Sequence, residues 1–287
     1  MSNPSEPPLW ARDNDFVEKI SDMAGSFGRV AETYDRVRPG PAPAAVDWLI
    51  PAGCGAAVDL AAGTGLFTRA LLGRVPDITA VEPDERMRAV LAERTEGVRV
   101  LDGRGEAIPL PDASADGVFV STAWHWLDSA LAIPEIARVL RDGGRLGVIW
   151  TSRDRADDWV AQLDLLRLPA VPGEAREREA GEPRTADQVR EKLDRHHSVT
   201  LPPDAPFGRA EAESFTFTRM MDVDDVVDWL ATNSGSITAS PAGREAGLAR
   251  CRTALLARAT GDSRVEMPLR SWCWRADRLP RATERPR

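Results

Sequence analysis

Short apolar runs rich in β-branched residues alternate with segments of helical period through the first half of the chain. Residues 56–60, 78–81, 98–101, 117–120 and 145–150 read as strands. Between them, 66–72, 85–94 and 130–140 carry apolar positions at helical spacing, the last expected to stop at Asp142-Gly143-Gly144. Upstream, PAAVDWLI from Pro43 reads as a short amphipathic helix with proline in its first turn. Strands in this rhythm predict an α/β fold, a doubly wound parallel sheet covered on both faces.

The pattern changes after residue 150. Residues 172–197 are heavily charged and begin as a linker or lid before a helix from Ala186. Phe215 and Phe217 alternate with threonine as in a half-buried strand. Asp222 is placed to cap a helix whose Val226, Val227 and Leu230 share one side. A longer helix over 244–258 and an alternating run from Val265 to Trp274 follow, with Pro268 pointing to an edge strand or a bulge. The two late strands predict an antiparallel pair added to the parallel sheet, with the remaining helices as a lid or cap. The expected organisation is a flexible segment at 1–26, a ligand-binding core at 27–150, a sheet-completing cap at 151–277 and a disordered basic tail at 278–287.

Composition narrows the classes. A net charge of -8 with arginines scattered among acids argues against a nucleic-acid partner. No run reaches eighteen apolar residues, which argues against a membrane span, and the polar, acidic start is not a secretory signal. Cys54, Cys251 and Cys273 form no CxxC pair, so a reducing cytoplasm and three small buried thiols are expected, with no metal site. The acidic run Asp222, Asp224, Asp225 and Asp228 reads as a solvated helix start.

The chemistry concentrates in Val58-Asp59-Leu60-Ala61-Ala62-Gly63-Thr64-Gly65-Leu66-Phe67-Thr68. A strand runs into a loop of small residues and then a helix, and the next strand ends in Val81-Glu82-Pro83. Glycines permit close backbone approach to a ligand, and an acid at the second strand end can accept from both ribose hydroxyls of an adenosine. The third glycine of a dinucleotide fingerprint is replaced by Thr68, and no Walker lysine follows. S-adenosyl-L-methionine (SAM), which carries no phosphates, fits better than NAD. Asp59 is suited to orient loop amides or to meet the ammonium of the methionine moiety.

With these residues in view, the chain resembles the class I SAM-dependent methyltransferases of small-molecule type, and within them the trans-aconitate and ubiquinone/menaquinone methyltransferase-like group. FGRVAETYDRVRPGP (27–41), GRGEAIPLPDASADGVFV (103–120), STAWHWLD (121–128) and RVLRDGGRLGVIW (138–150) carry the resemblance. It implies a Rossmann-like core, SAM as cofactor and S-adenosylhomocysteine as product. It also implies cofactor contacts from Tyr34, Arg38, Asp59, Ala61, Gly63, Thr64, Gly65, Glu82, Pro83, Met87, Gly105, Glu106, Ala107, Thr122 and Ala123. The first glycine of the family's loop is Ala61 here, which adds a methyl group near the cofactor.

His125, just past the fourth strand, is the candidate base, with structural packing of Trp124-His125-Trp126 as the competing reading. Trp124, Trp126 and Arg153 are candidate substrate contacts. Arg153 and Asp154 otherwise form a surface ion pair, and Trp150, Trp159 and Trp229 either wall an apolar substrate or belong to the core. His196 and His197 are expected in solvent. The acceptor is expected to be a small molecule. Association with itself or a partner subunit stays open, as do non-methyl chemistry on the same scaffold and a non-catalytic role.

Overall fold

The computed structural model describes residues 31–167, 197–232 and 240–281. The segment at 1–26, His196 and the charged stretch up to it, including the helix expected from Ala186, lie outside the described residues.

Seven strands form one sheet in the order β3-β2-β1-β4-β5-β7-β6. They are β1 (Ala56–Leu60), β2 (Asp77–Val81), β3 (Arg99–Leu101), β4 (Ala115–Ser121), β5 (Leu140–Arg153), β6 (Glu211–Asp222) and β7 (Arg264–Asp277). The first five are parallel, and β7 runs antiparallel to both β5 and β6. This is the expected Rossmann-like sheet with an antiparallel pair. Because β1 pairs with β2 on one side and β4 on the other, the chain reverses direction across the sheet there. A crevice therefore opens beyond the carboxyl ends of β1 and β4, where ligands bind in such sheets.

Both faces are covered, which is why the central strands read as continuous apolar runs rather than alternating ones. On one face, α2 (Pro43–Leu49) and α3 (Leu66–Leu71) pack Leu49, Phe67 and Leu71 against Ala57, Phe119 and Ile149. On the other, α5 (Ser129–Val139) lays Ile133 and Ile136 against Val118, Leu146 and Val148. A separate cluster joins α6 (Asp158–Arg167), α7 (Val223–Ala231) and α8 (Pro241–Leu256) to Met267 and Leu269 of β7. These are the helices expected as a lid or cap, and they are called the cap below. α4 (Glu85–Arg94) follows β2, its first turn capped by the Asp84 carboxylate, which accepts from the amides of Arg86 and Met87.

Several expectations are corrected. β7 is an interior strand, although it contains Pro268. Its register with β5 ends at Leu269 opposite Arg153, and the Pro268 carbonyl accepts from the Asp154 amide just beyond. Proline thus sits where the neighbouring strand has run out, and no ladder bond is lost. Asp142-Gly143-Gly144 does not stop α5, which ends at Val139; it forms an irregularity within β5, where the register against β4 shifts and Gly143 has φ 77°. β5 continues to Arg153, so the boundary expected at 150 falls inside a strand. Asp222 occupies the N-cap of α7 without a side-chain cap bond. The paired chain runs past Asp277: Arg278 bridges to Phe207 and is buried against Asp142.

Cys54, Cys251 and Cys273 are buried free thiols, pushed up by burial to about 11, 11 and 12. Among the described residues no helix is long and apolar enough to cross a membrane.

The approach of α8 to α6 depends on Gly247, where an added Cβ would lie 2.4 Å from the Arg167 carbonyl oxygen. Glycine to alanine inside a helix ordinarily stabilises by about 1 kcal/mol. Here Gly247→Ala is expected to cost about 1–3 kcal/mol by overpacking. A lower urea midpoint at unchanged m-value is the expected result, and a higher midpoint would contradict the close approach.

Candidate active site

β1 delivers its chain end into the loop Ala61–Gly65, and the loop is held by strained backbone. Ala61 and Gly63 lie in the left-handed region, at φ 55° and 57°, with Gly65 at 84°. For Ala61 this conformation carries a steric cost of about 1–2 kcal/mol that glycine would not incur. A Cβ on Gly63 would meet nothing closer than Met87 Sδ at 3.8 Å, so this glycine leaves an open cradle beside Met87.

Two buried carboxylates frame the loop. Glu82, at the end of β2, accepts from the Gly63 amide through Oε2 at 2.8 Å and from the Asp84 amide through Oε1 at 2.9 Å. It therefore ties the glycine loop to the second strand through backbone bonds, a role the sequence did not indicate, and its remaining lone pairs stay available to a ligand. Burial raises its pKa above the usual carboxylate value, partly offset by those two amides. Asp59 is wholly buried. Its Oδ2 accepts from Thr68 Oγ1 at 2.5 Å, and its Oδ1 has no partner. Burial, reinforced by the charge on Glu82, pushes Asp59 up to about 7. Thr64 Oγ1 is likewise buried and unpartnered. Thr68, at the position of a dinucleotide site's third glycine, thus supports Asp59 instead of opening the helix start.

Opposite the loop, β4 is followed by Thr122 at φ 56°, its amide donating to the Ile149 carbonyl at 2.7 Å. A β-branched residue in this region is an outlier, the kind of backbone strain found at functional edges. Ala123 leads into a single 3-10 turn, Trp124–Trp126. Trp124 enters the core, Trp126 is half-buried, and His125 is exposed with its ring 4.7 Å from that of Trp126. Trp124 thus packs as structure, while His125 is exposed against the Trp126 ring. The turn Gly105-Glu106-Ala107 closes on the same side. Gly105 is pressed against Leu127, where a Cβ would fall 2.8 Å from Cδ2, and Glu106 Oε1 accepts from the Asp128 amide at 2.8 Å. Pro83 is exposed and Met87 buried beside the loop.

α1 (Ala31–Val37) lies in the segment that the resemblance places over the cofactor, and the structure shows what it is tied to. Its buried Asp35 pairs with Arg69 of α3 at 2.6 Å and Arg94 of α4 at 3.1 Å. Arg36 pairs with Asp225 and Asp228 of α7, so part of the acidic run expected in solvent is engaged. Arg38 lies 4.2 Å over the Tyr34 ring and donates to the Thr232 carbonyl at 3.4 Å. These contacts join the loop half to the cap.

Other candidates fall elsewhere. Arg153 and Asp154 do not form a surface pair: Arg153 is 1% exposed and bound to Asp164, while Asp154 pairs with Arg270. Trp150 and Trp229 are core, and Trp159 is half-buried. His197 is half-buried rather than solvated, its ring 4.3 Å from Trp272 and 5.5 Å from Trp150.

Comparison with known proteins agrees with this geometry. A family profile described as a methyltransferase domain matches residues 58–148, the span from the glycine loop to β5. An uncharacterized methyltransferase of Mycobacterium tuberculosis is 39% identical over 234 residues, 82% of this chain and 87% of that protein. The malonyl-[acyl-carrier protein] O-methyltransferase of Methylococcus capsulatus is 38% identical over 95 residues, 31% of this chain and 34% of its own length. Among solved structures, a type II methyltransferase of Anaeromyxobacter dehalogenans, itself assigned only provisionally, superposes with a TM-score of 0.60 at 24% identity, over 85% of this chain and 99% of that one. With one relative matched along most of both chains, and the sheet and glycine loop as described, the chain belongs to the class I SAM-dependent methyltransferases.

Proposed function

We propose that the chain transfers a methyl group from SAM to a small-molecule acceptor held between the carboxyl edge of the sheet and the cap. The observation that carries the cofactor assignment is Asp59. A wholly buried carboxylate oxygen without a partner, beside an open glycine cradle and an unpartnered Thr64 hydroxyl, suits a cationic amino-acid moiety. The same two carboxylates, Asp59 and Glu82, would repel a pyrophosphate at this helix start. Glu82 fixes the loop and offers its free lone pairs to ribose hydroxyls, with the Gly105-Glu106-Ala107 turn as the neighbouring wall. The four segments of resemblance support, within the family, the trans-aconitate and ubiquinone/menaquinone-like group.

When bound, SAM supplies a methyl group already activated by its sulfonium. The chain's own residues then have to position the acceptor, exclude water and, where needed, take a proton. Thr122 and Ala123 hold the edge of β4 against the loop, and α1 with Tyr34 and Arg38 closes the crevice from above. His125, exposed in the turn after β4, is placed to accept a proton from an acceptor hydroxyl, amine or acidic carbon.

Calorimetric titration with SAM, S-adenosylhomocysteine and NAD tests the assignment directly; binding of the two sulfur ligands but not NAD is expected. Asp59 adds a pH signature. Its folded pKa, about 7, stands above the ordinary 3.8. Its contribution to stability without ligand is therefore full below about 4 and is lost as the pH rises through 7. An ammonium beside it favours the ionised form, so SAM binding should release a proton below pH 7 and tighten from pH 6 to 8. Asp59→Asn should flatten that slope; an unchanged slope would remove Asp59 from the ammonium site.

Ala61→Gly should relieve the left-handed backbone and raise stability by up to about 1 kcal/mol, net of the entropy glycine returns to the unfolded chain. Its SAM affinity should equal or exceed that of the parent. Weaker binding would mean that the Ala61 methyl contributes a contact.

For His125→Ala, SAM affinity should be retained and turnover should fall about 100-fold or more, the usual range for loss of a general base. Turnover within a few-fold of the parent would leave His125 as lining alone.

A further inference from the structure

The two edges of the sheet are built differently. β3, at one edge, is three residues long, whereas β6, at the other, runs twelve residues from Glu211 to Asp222. β6 pairs with β7 in one unbroken register along its whole length and contains neither proline nor lysine. A long regular edge strand offers its free amides and carbonyls to other chains, and proteins commonly blunt such edges with proline, lysine or a bulge. β6 carries none of these.

The register identifies which of its groups face outward. The Val223 amide donates to the Ser263 carbonyl at 3.0 Å, continuing the β6–β7 pairing by one residue. Hydrogen-bonded pairs recur at every second residue of an antiparallel ladder. Odd-numbered residues of β6 therefore bond to β7, and even-numbered ones point away from the sheet. β7 agrees, since its Pro268 carbonyl faces the β5 side, toward the Asp154 amide. Among the described residues, the outward Ser214 amide is met by the Glu213 carboxylate at 3.0 Å, and the Met220 carbonyl by Arg264 at 3.3 Å. The outward backbone groups of Thr216 and Thr218, both exposed residues, meet no described protein group.

Side chains on this strand are arranged symmetrically about Thr216. Phe215 and Phe217 flank it, and Glu213 and Arg219 stand three residues to either side. Both charged side chains are exposed, and among the described residues neither is in an ion pair, unlike Glu211, which is bound to Arg275. Charge guards an edge only where like charges would meet, and these two are opposite in sign. A second copy running antiparallel, with its Thr216 opposite this one, sets outward groups against outward groups throughout. Thr216 exchanges both bonds with its copy, and Ser214 pairs with Thr218. Between them Phe215 lies opposite Phe217 and Glu213 opposite Arg219, each pair occurring twice by symmetry. Moving the axis to Phe217 would oppose Phe215 with Arg219, and moving it to Phe215 would turn Arg219 toward the engaged Glu211. Phe215 already packs near Trp48 of α2, ring centres 6.3 Å apart, so the paired rings extend an existing apolar layer.

We propose that β6 is a self-recognition edge along which two copies of the chain join antiparallel, about a two-fold axis at Thr216, into one continuous sheet. The edge lies four strands from β1 in the sheet order and is remote from the glycine loop. The inference does not depend on the methyl-transfer reading.

Sedimentation equilibrium of the full chain across a micromolar concentration series is the test. The parent should pass from monomer to dimer. Arg219→Glu and Glu213→Arg, each of which sets like charges opposite one another, should weaken the dimer at least tenfold. The double variant, with both charges exchanged, should recover it to within a few-fold of the parent, because the same pairs form in reverse. That recovery also separates lost pairing from misfolding in the single variants. Thr216→Pro, which removes an outward amide and no bond to β7, should abolish the dimer. In hydrogen exchange, the Thr216 and Thr218 amides should slow as the parent's concentration rises. A parent that stays monomeric, as expected if the edge accepts a different protein, overturns the proposal. So does a dimer that survives Thr216→Pro, or single charge reversals that the double variant does not repair.

Discussion

The hydrogen bonds from the Gly63 and Asp84 amides to the buried Glu82 carboxylate are the constraint on which the site depends. Each is a charge-assisted bond in a desolvated place, worth about 1.5–3 kcal/mol. Together they fix where the loop after β1 sits relative to the end of β2. Asp59, one residue before the end of β1, then has no loop amide to accept from. It is left with the Thr68 hydroxyl on one oxygen and nothing on the other. The loop's shape and its unspent acceptor thus have a common origin. One carboxylate is consumed in building the cradle, and the second is left buried and incompletely satisfied, which is tolerable in a native protein where a ligand completes it.

The cradle is not a property of the parallel sheet alone. α1 reaches both halves with side chains of opposite charge: Asp35 faces arginines of α3 and α4, and Arg36 faces aspartates of α7. The Asp35 bonds are the stronger link, because that carboxylate is buried, whereas the Arg36 pairs are largely exposed and screened. Toward the cap the hold is apolar instead: Val37, at the end of α1, is buried in the cluster formed by the cap helices and β7.

The doubly wound core was legible in the sequence because it follows from local period. Continuous apolar runs such as those of β1 and β2 arise when both faces of a strand are buried, and the intervening helices show their own spacing. The loop residues were legible for a related reason, since small residues at a strand-to-helix junction have few other causes. What could not be read depends on partners far along the chain. Pro268 suggests an edge strand by the ordinary rule, yet its fate is decided by where β5 stops. Asp35, Asp164 and the arginines around them look like solvated surface in sequence, because nothing local says that Arg69 or Arg153 will face them. His197 sits in a charged stretch but lands against Trp272 and Trp150, which come from two different strands.

Net charge carries little information about the site. A total of -8 describes the solvated surface, where opposite charges are interspersed and screened. Along the carboxyl edge of the sheet the buried charges are few and placed: Asp59 and Glu82 at the ends of β1 and β2, and the Arg153–Asp164 pair at the end of β5. In a low-dielectric crevice this local order outweighs the chain total, because desolvated charges act on a ligand at several times their strength in water.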